Sequence, residues 1–255
     1  MKRAKQKESV MKQIVLASGA WCALMVYGDA VAADHPEAMQ GMHEAERFTK
    51  VMLDRLEWRD ADPEALSYWE AQAWLGGDIH KLWLKSEGEV AKGDTEEASL
   101  EAYYSRAVAP YWDLQLGARH DFALQGEPAR NWIAIGVKGL APYKFEIDAT
   151  LYAGAQGRSA LVTQVEYDLL ITQRLVLMPE LEAALYGKED VARGIGSGLA
   201  HLAAGLRLRY ELRREFAPYV GVNWTGKYGD TADLARGHGA PVRDTQWLIG
   251  VRAWW

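Results

Sequence analysis

"PYWDLQLGARHDFALQG", residues 110–126, alternates in chemical character along its length. Trp112, Leu114, Leu116, Ala118 and Phe122 fall on one parity, interrupted by His120. Asp113, Gln115, Gly117, Arg119 and Asp121 fall on the other. A β-strand sends successive side chains to opposite faces, so the stretch reads as a strand with one apolar and one charged face. A small soluble sheet would turn the apolar face inward. The rest of the chain argues for the reverse, with lipid outside and charge inside.

The same alternation recurs. Lys144, Glu146 and Asp148 oppose Tyr143, Phe145, Ile147, Ala149 and Leu151. Gln164, Glu166 and Asp168 oppose Val165, Tyr167, Leu169 and Ile171. Arg207, Arg209 and Glu211 oppose Leu206, Leu208, Tyr210 and Leu212, and Trp247, Ile249, Val251, Ala253 and Trp255 share one side of the last segment. Twelve strands are expected, over 51–59, 66–75, 80–90, 97–108, 111–122, 130–139, 143–154, 161–171, 174–186, 200–212, 216–226 and 245–255. Their lengths suit tilted membrane strands. Pro179 lies inside the ninth and cannot donate a ladder hydrogen bond, so a bulge or register break is expected there.

Parity alone also fits a soluble all-β domain. The connections add a second test. Short ones ("GGDI", Ala109-Pro110, "LAP", Thr172-Gln173, "RRE") alternate with longer ones ("AKGDTE", "ALQGEPA", "AQGRSA", "GKEDVARGIGSGL", "GKYGDTADLARGHGAPVRD"). Tight turns on one rim and larger loops on the other are the outer-membrane arrangement. The expected fold is therefore an antiparallel transmembrane β-barrel, closed so that no strand edge meets lipid. The chain has 11 Trp and 12 Tyr against 4 Phe. Trp112, Trp132 and Trp247 are expected on the outward parity, in an aromatic girdle.

The N-terminus reads as an export signal. "MKQIVLASGAWCALMVYGDAVAADH" begins at Met11 with a basic residue and continues through an apolar run to Ala30-Val31-Ala32. The expected cut follows Ala32, and the true start is placed at either Met1 or Met11. Cleavage removes the single cysteine, Cys22, with five basic and two acidic residues, and shifts the net charge from -6 to -9. Disulfides and thiolate chemistry are thereby excluded from the mature chain. No concentrated basic surface points to nucleic acid. The expected layout is a signal peptide over 1–32, a polar periplasmic leader over 33–50 and a barrel over 51–255.

The inward parity would place Glu97, Glu101, Asp113, Gln115, Arg119, Asp121, Glu166, Asp168, Glu180, Glu182, Arg207, Arg209 and Glu211 in the lumen. These charges either hold one another or line a transport path. A hydrolytic barrel would need a nucleophile beside a base. Ser99 and Ser105 lie near the lumen and His201 lies on strand ten, while His120 points outward. His238, near Asp244, has no serine partner. No enzymatic activity is expected.

Several blocks resemble the CopB/PcoB family of outer-membrane copper-resistance proteins. They are "GGDIHKLWLKSEGE" (76–89), "YYSRAVAPYWDLQLGARHD" (103–121), "GLAPYKFEIDATLYAG" (139–154), "EYDLLITQRLVLMPELEAALYG" (166–187), "GIGSGL" (194–199), "GLRLRYELRREFAPYVGV" (205–222) and "GVRAWW" (250–255). The resemblance implies an outer-membrane barrel with short turns and both mature termini toward the periplasm, and a role in copper tolerance. It also implies copper as ligand or cargo, and a periplasmic copper-binding or copper-oxidising protein as partner. Many members carry an extended Met/His-rich segment before the barrel. Here that stretch is "ADHPEAMQGMHEA", with His35, Met39, Met42 and His43 as candidate ligands. Thioether sulfur suits Cu(I), and imidazole serves either oxidation state. Met178, on the inward parity of strand nine, is a further soft donor. A general small-solute pore and a structural barrel are the competing functions.

Overall fold

The computed structural model describes residues 47–124 and 126–255. The expected signal peptide and the ligand candidates His35, Met39, Met42 and His43 lie outside the described residues.

The strands are β1 (Phe48–Asp60), β2 (Leu66–Gly76), β3 (His80–Ala91), β4 (Asp94–Ala109), β5 (Trp112–Asp121), β6 (Arg130–Ala141), β7 (Phe145–Gly154), β8 (Ser159–Tyr167), β9 (Leu169–Leu170), β10 (Leu175–Tyr186), β11 (Gly198–Tyr210), β12 (Phe216–Lys227) and β13 (Arg243–Trp254). Each pairs antiparallel with its neighbours, and β1 pairs with β13 from Met52↔Trp254 to Asp60↔Trp247, which closes the sheet. The two-residue β9 prolongs β8 along β10, so the barrel has twelve staves. Closure gives each of the twelve staves two partners, as hydrocarbon requires.

The opening stretch is inside-out. Leu114 and Leu116 on β5 are exposed, whereas Gln115 between them is 0% exposed. The pattern repeats on β6, where Ile133 and Ile135 are exposed around a buried Ala134. Trp247 is exposed on the outer wall. Trp132 corrects the expected girdle. It is buried in the lumen, donates from Nε1 to Asp121 at 2.7 Å and meets Tyr152 edge to face.

Pro179 does not break the register. The β8 ladder runs to Glu180↔Glu166 and β9 resumes at Leu177↔Leu169, in the same alignment. The missing N–H only interrupts the ladder, which is why β8 and β9 are separate. Pairing to β11 continues through Pro179↔Leu206. The bulge in β10 against β11 lies instead between Ala184 and Leu185.

The turns at 77–79, 110–111, 142–144, 171–174 and 211–215 share a rim with both ends of the barrel. Val51 N donates to Trp255 O at 3.0 Å, and Trp254 N to Glu215 O at 3.0 Å. The opposite rim carries the larger loops 122–129, 187–197 and 228–242. Two expected larger loops are not there: β7 and β8 are joined by only four residues, 155–158, and the β3–β4 connection is shorter still. β3 and β4 meet at Lys92-Gly93, both at positive φ (54° and 94°), a tight hairpin that glycine permits in its second position. Loop 228–242 contains α1 (Gly229–Gly237), which buries Thr231, Ala232 and Ala235. Gly196 N donates to Thr231 Oγ1 and Ser197 Oγ to Asp230 Oδ2, each at 2.8 Å. These bonds tie the two longest loops together.

Candidate functional site in the barrel lumen

β1 carries an irregularity that parity could not show. Its register against β2 shifts between Leu53 and Arg55, and against β13 between Leu53 and Leu56. The bulge brings both Asp54 and Arg55 inward. Asp54 meets Gln72 and Arg252, while Arg55 meets Glu70 at 3.2 Å, Glu180 at 2.8 Å and also Glu166. Beyond the bulge the inward parity switches to odd numbers and takes in Glu57 and Arg59. Glu57, 2% exposed, accepts Nε of Arg59 and Nε of Arg207, each at 2.7 Å, and the Tyr219 hydroxyl at 3.0 Å. Arg207 also holds Glu180. A buried charge is tolerable only when partners replace its water, and each of these groups has two or more.

A second cluster centres on Glu101. Its carboxylate accepts the Tyr103 hydroxyl at 2.6 Å, the Tyr152 hydroxyl at 3.1 Å and Arg119 Nη1 at 2.9 Å. Arg119 also holds Glu87 and Asp121. Opposite Tyr103 stands Gly117, where a Cβ would lie 2.5 Å from the tyrosine ring, so only glycine lets that ring lie flat against the wall. Lys85 pairs with Asp148 at 2.9 Å, and Lys138 approaches the same carboxylate at 3.6 Å.

These pairs divide the lumen. A cavity of about 750 Å³ opens among the larger loops, past Asp62, Glu64, Arg193 and Val242. It descends to Arg55, Gln72, Lys85, Asp148, Glu180 and Arg207. Lys81, Asp113, Asp168, Met178 and Arg209, toward the short-turn rim, do not line it. Lys81 is 3.4 Å from Asp113 and Arg209 is 3.0 Å from Asp168. The barrel is thus a cup whose floor is a layer of ion pairs. Glu97 and Glu182 line the cup, as their parity suggested. Met178 lies beneath the floor, its Sδ accepting Arg209 Nη1 at 2.9 Å.

Among the described residues the candidate side chains form no hydrolytic arrangement. Ser99 Oγ donates to Glu87 and Ser105 Oγ to Asp113, so carboxylates occupy both hydroxyls. His120 pairs with Asn131 and His238 with Leu234 O, while Asp244 binds Asp62 N and Gln246. Among the described residues no three or more His, Cys, Asp or Glu side chains gather as a metal site.

The family described as Copper resistance protein B precursor (CopB) matches residues 47–255, the whole barrel. The chain belongs to the CopB family. It is 45% identical to Copper resistance protein B of Escherichia coli, over 80% of this chain and 68% of that protein. It is 43% identical to the Copper resistance protein B homolog of Pseudomonas syringae pv. tomato, over 84% of this chain and 72% of that protein. Among solved structures, the NanC porin superposes with a TM-score of 0.55 at 12% identity, covering 78% of this chain and 98% of that one. The KdgM porin gives 0.50 at 13% identity, with 80% and 98% covered. These two likenesses are of fold. This CopB-family chain is an outer-membrane barrel of a copper-resistance family.

The larger-loop rim holds a further lock. Asp190 accepts hydrogen bonds from Arg130 Nε at 2.6 Å and Nη2 at 2.9 Å, and forms an ion pair without a hydrogen bond with Arg158, Nε to Oδ2 3.1 Å. The hydrogen bonds from Arg130, aided by the nearby Arg158 and Arg193 charges, hold the Asp190 carboxyl below its usual range against the opposing effect of burial. A depressed folded value means this contribution is complete above the ordinary aspartate value of about 3.9 and is lost as pH falls through the folded one. Protection of the Ile195 amide, which bonds Asp190 O, is expected to fall below about pH 4. Hydrogen exchange corrected for intrinsic rates should show this in the parent and a low, flat profile in Asp190→Asn. A parent profile without pH dependence would contradict the lock.

Proposed function

We propose that this protein confers copper resistance from the outer membrane by capturing copper at its leader, with the barrel as anchor. Family membership supports the metal and the compartment. His35, Met39, Met42 and His43 supply two thioethers and two imidazoles within a short segment, a donor set suited to copper. The short turns and both barrel ends face the periplasm in this reading, so the leader meets copper there. A periplasmic copper-binding or copper-oxidising protein is the proposed source of the metal.

The observation that favours capture over passage is the ion-paired floor. A cation crossing the lumen would have to part Arg55 and Arg207 from Glu166, Glu180 and Glu57. Met178 favours a second reading, passage, because it offers a soft donor below that floor. The Arg209 guanidinium against its sulfur repels a cation, so passage requires that contact to open.

One deletion strain decides between them. It is complemented by the parent, by a quadruple alanine variant at His35, Met39, Met42 and His43, and by a Glu166→Gln/Asp168→Asn variant. Growth and cell-associated copper are followed across a copper series, with zinc as control and outer-membrane abundance matched. Capture predicts that the leader variant loses copper tolerance and that the lumen variant keeps it. The opposite pattern supports passage. A deletion strain with unchanged copper tolerance, even without its periplasmic copper exporters, rejects the copper role and leaves a general pore or structural barrel.

A further inference from the structure

We propose that His80, Tyr104 and Arg106 form a phosphodiester-binding site on the outer wall, for the headgroup of a glycerophospholipid in the leaflet at the short-turn rim. The outward parity of β4 is apolar, with Leu100, Ala102, Tyr104 and Val108 on one face, and Arg106 stands in that row. Arg106 is exposed and, among the described residues, makes no hydrogen bond or ion pair. The inward arginines Arg55, Arg59, Arg119, Arg207 and Arg209 all hold carboxylates. An arginine cannot shed its charge, so one standing in an apolar row beside the rim favours an anion supplied from outside the chain.

The neighbours fit such an anion. His80 sits directly across the β3–β4 ladder from Arg106. Its ring lies side by side with that of Tyr104, centroids 5.7 Å apart and planes inclined by 19°, joined by a hydrogen bond of 2.6 Å between Nδ1 and the Tyr104 hydroxyl. Exposed Leu82, Val108 and Leu114 surround the three polar groups. Leu82 pairs with Tyr104 and Leu114 with Arg106 across the adjoining ladders. Arginine, histidine and tyrosine thus share one outward patch at the edge of an acyl-chain surface near the short turns. A guanidinium binds two phosphate oxygens in fork geometry, and the hydrogen-bonded histidine–tyrosine pair beside it offers further polar contact.

Native mass spectrometry of the purified full chain in detergent tests the site. The probes are dioleoyl phosphatidylglycerol, dioleoylglycerol with the same tails and no phosphate, and lipid A. The parent is expected to retain one phosphatidylglycerol in preference to both others. Arg106→Gln should lower that retention at least fivefold, and Arg106→Lys should restore part of it, having charge without the fork. Heat-modifiable mobility establishes that each variant is folded. Equal retention by Arg106→Gln and the parent, equal retention of dioleoylglycerol, or a preference for lipid A would overturn the proposal.

Discussion

Arg207→Leu is expected to destabilise the folded barrel by about 3–5 kcal/mol, the usual consequence of removing one partner from a buried ion pair. The loss arises from what stays behind. Glu57, 2% exposed, would keep only Arg59 and Tyr219, and Glu180 would keep Arg55 and the amide of Gln164. Equilibrium urea unfolding in phospholipid vesicles, followed by tryptophan fluorescence, measures this directly. The same variant should raise conductance in planar bilayers, because the floor of the cup loses its central cation. Parent-like stability with parent-like conductance would mean that the floor is not held by these pairs.

Leu208→Arg, one residue along, is expected to cost about 2–4 kcal/mol for a different reason. Its side chain leaves the barrel on the outer wall, where an arginine would enter hydrocarbon away from the rims. Leu208→Ala serves as the control, since it loses apolar contact without adding charge. The two neighbours thus fail by opposite routes, one by removing charge from the lumen and the other by adding it to the lipid face. Both effects are large, so comparing Arg207→Leu with Leu208→Arg for loss of assembly alone does not reveal which way the residues face. The alanine control and the conductance separate the two causes. An arginine at 208 tolerated as well as alanine would place that face away from lipid.

Most of the barrel was legible because a strand lined by lipid on one side and ion pairs on the other must alternate. β5 from Trp112 to Asp121 and β11 from Leu206 to Tyr210 follow that rule without exception at their centres. The rule fails where the backbone does. At Asp54–Arg55 the bulge reverses the parity of β1, and Arg55, Glu57 and Arg59 were missed although they organise the floor. The adjacent pair Asp54-Arg55, two charges in a row within an otherwise alternating segment, is the signal that marks it. Trp132 was misplaced because tryptophan suits an interface as well as a packed wall. Its partner Asp121 lies on the neighbouring strand, where strand parity alone cannot pair it. Parity places Ser99 and Ser105 near the lumen and His201 on strand ten, but their partners depend on cross-strand register that parity does not fix. The proposed copper ligands are a different matter. His35, Met39, Met42 and His43 belong to a segment whose chemistry is read from residue type alone, and Met178 from its place on β10.

Copper binding by the purified mature protein tests the central claim most directly. Equilibrium dialysis against Cu(I) under reducing conditions, with metal measured by mass spectrometry, is performed on the parent and on the quadruple alanine variant at His35, Met39, Met42 and His43. Leader capture predicts copper bound to the parent and lost from the variant, while both barrels remain folded and heat-modifiable. The same copper content in the two proteins would contradict it.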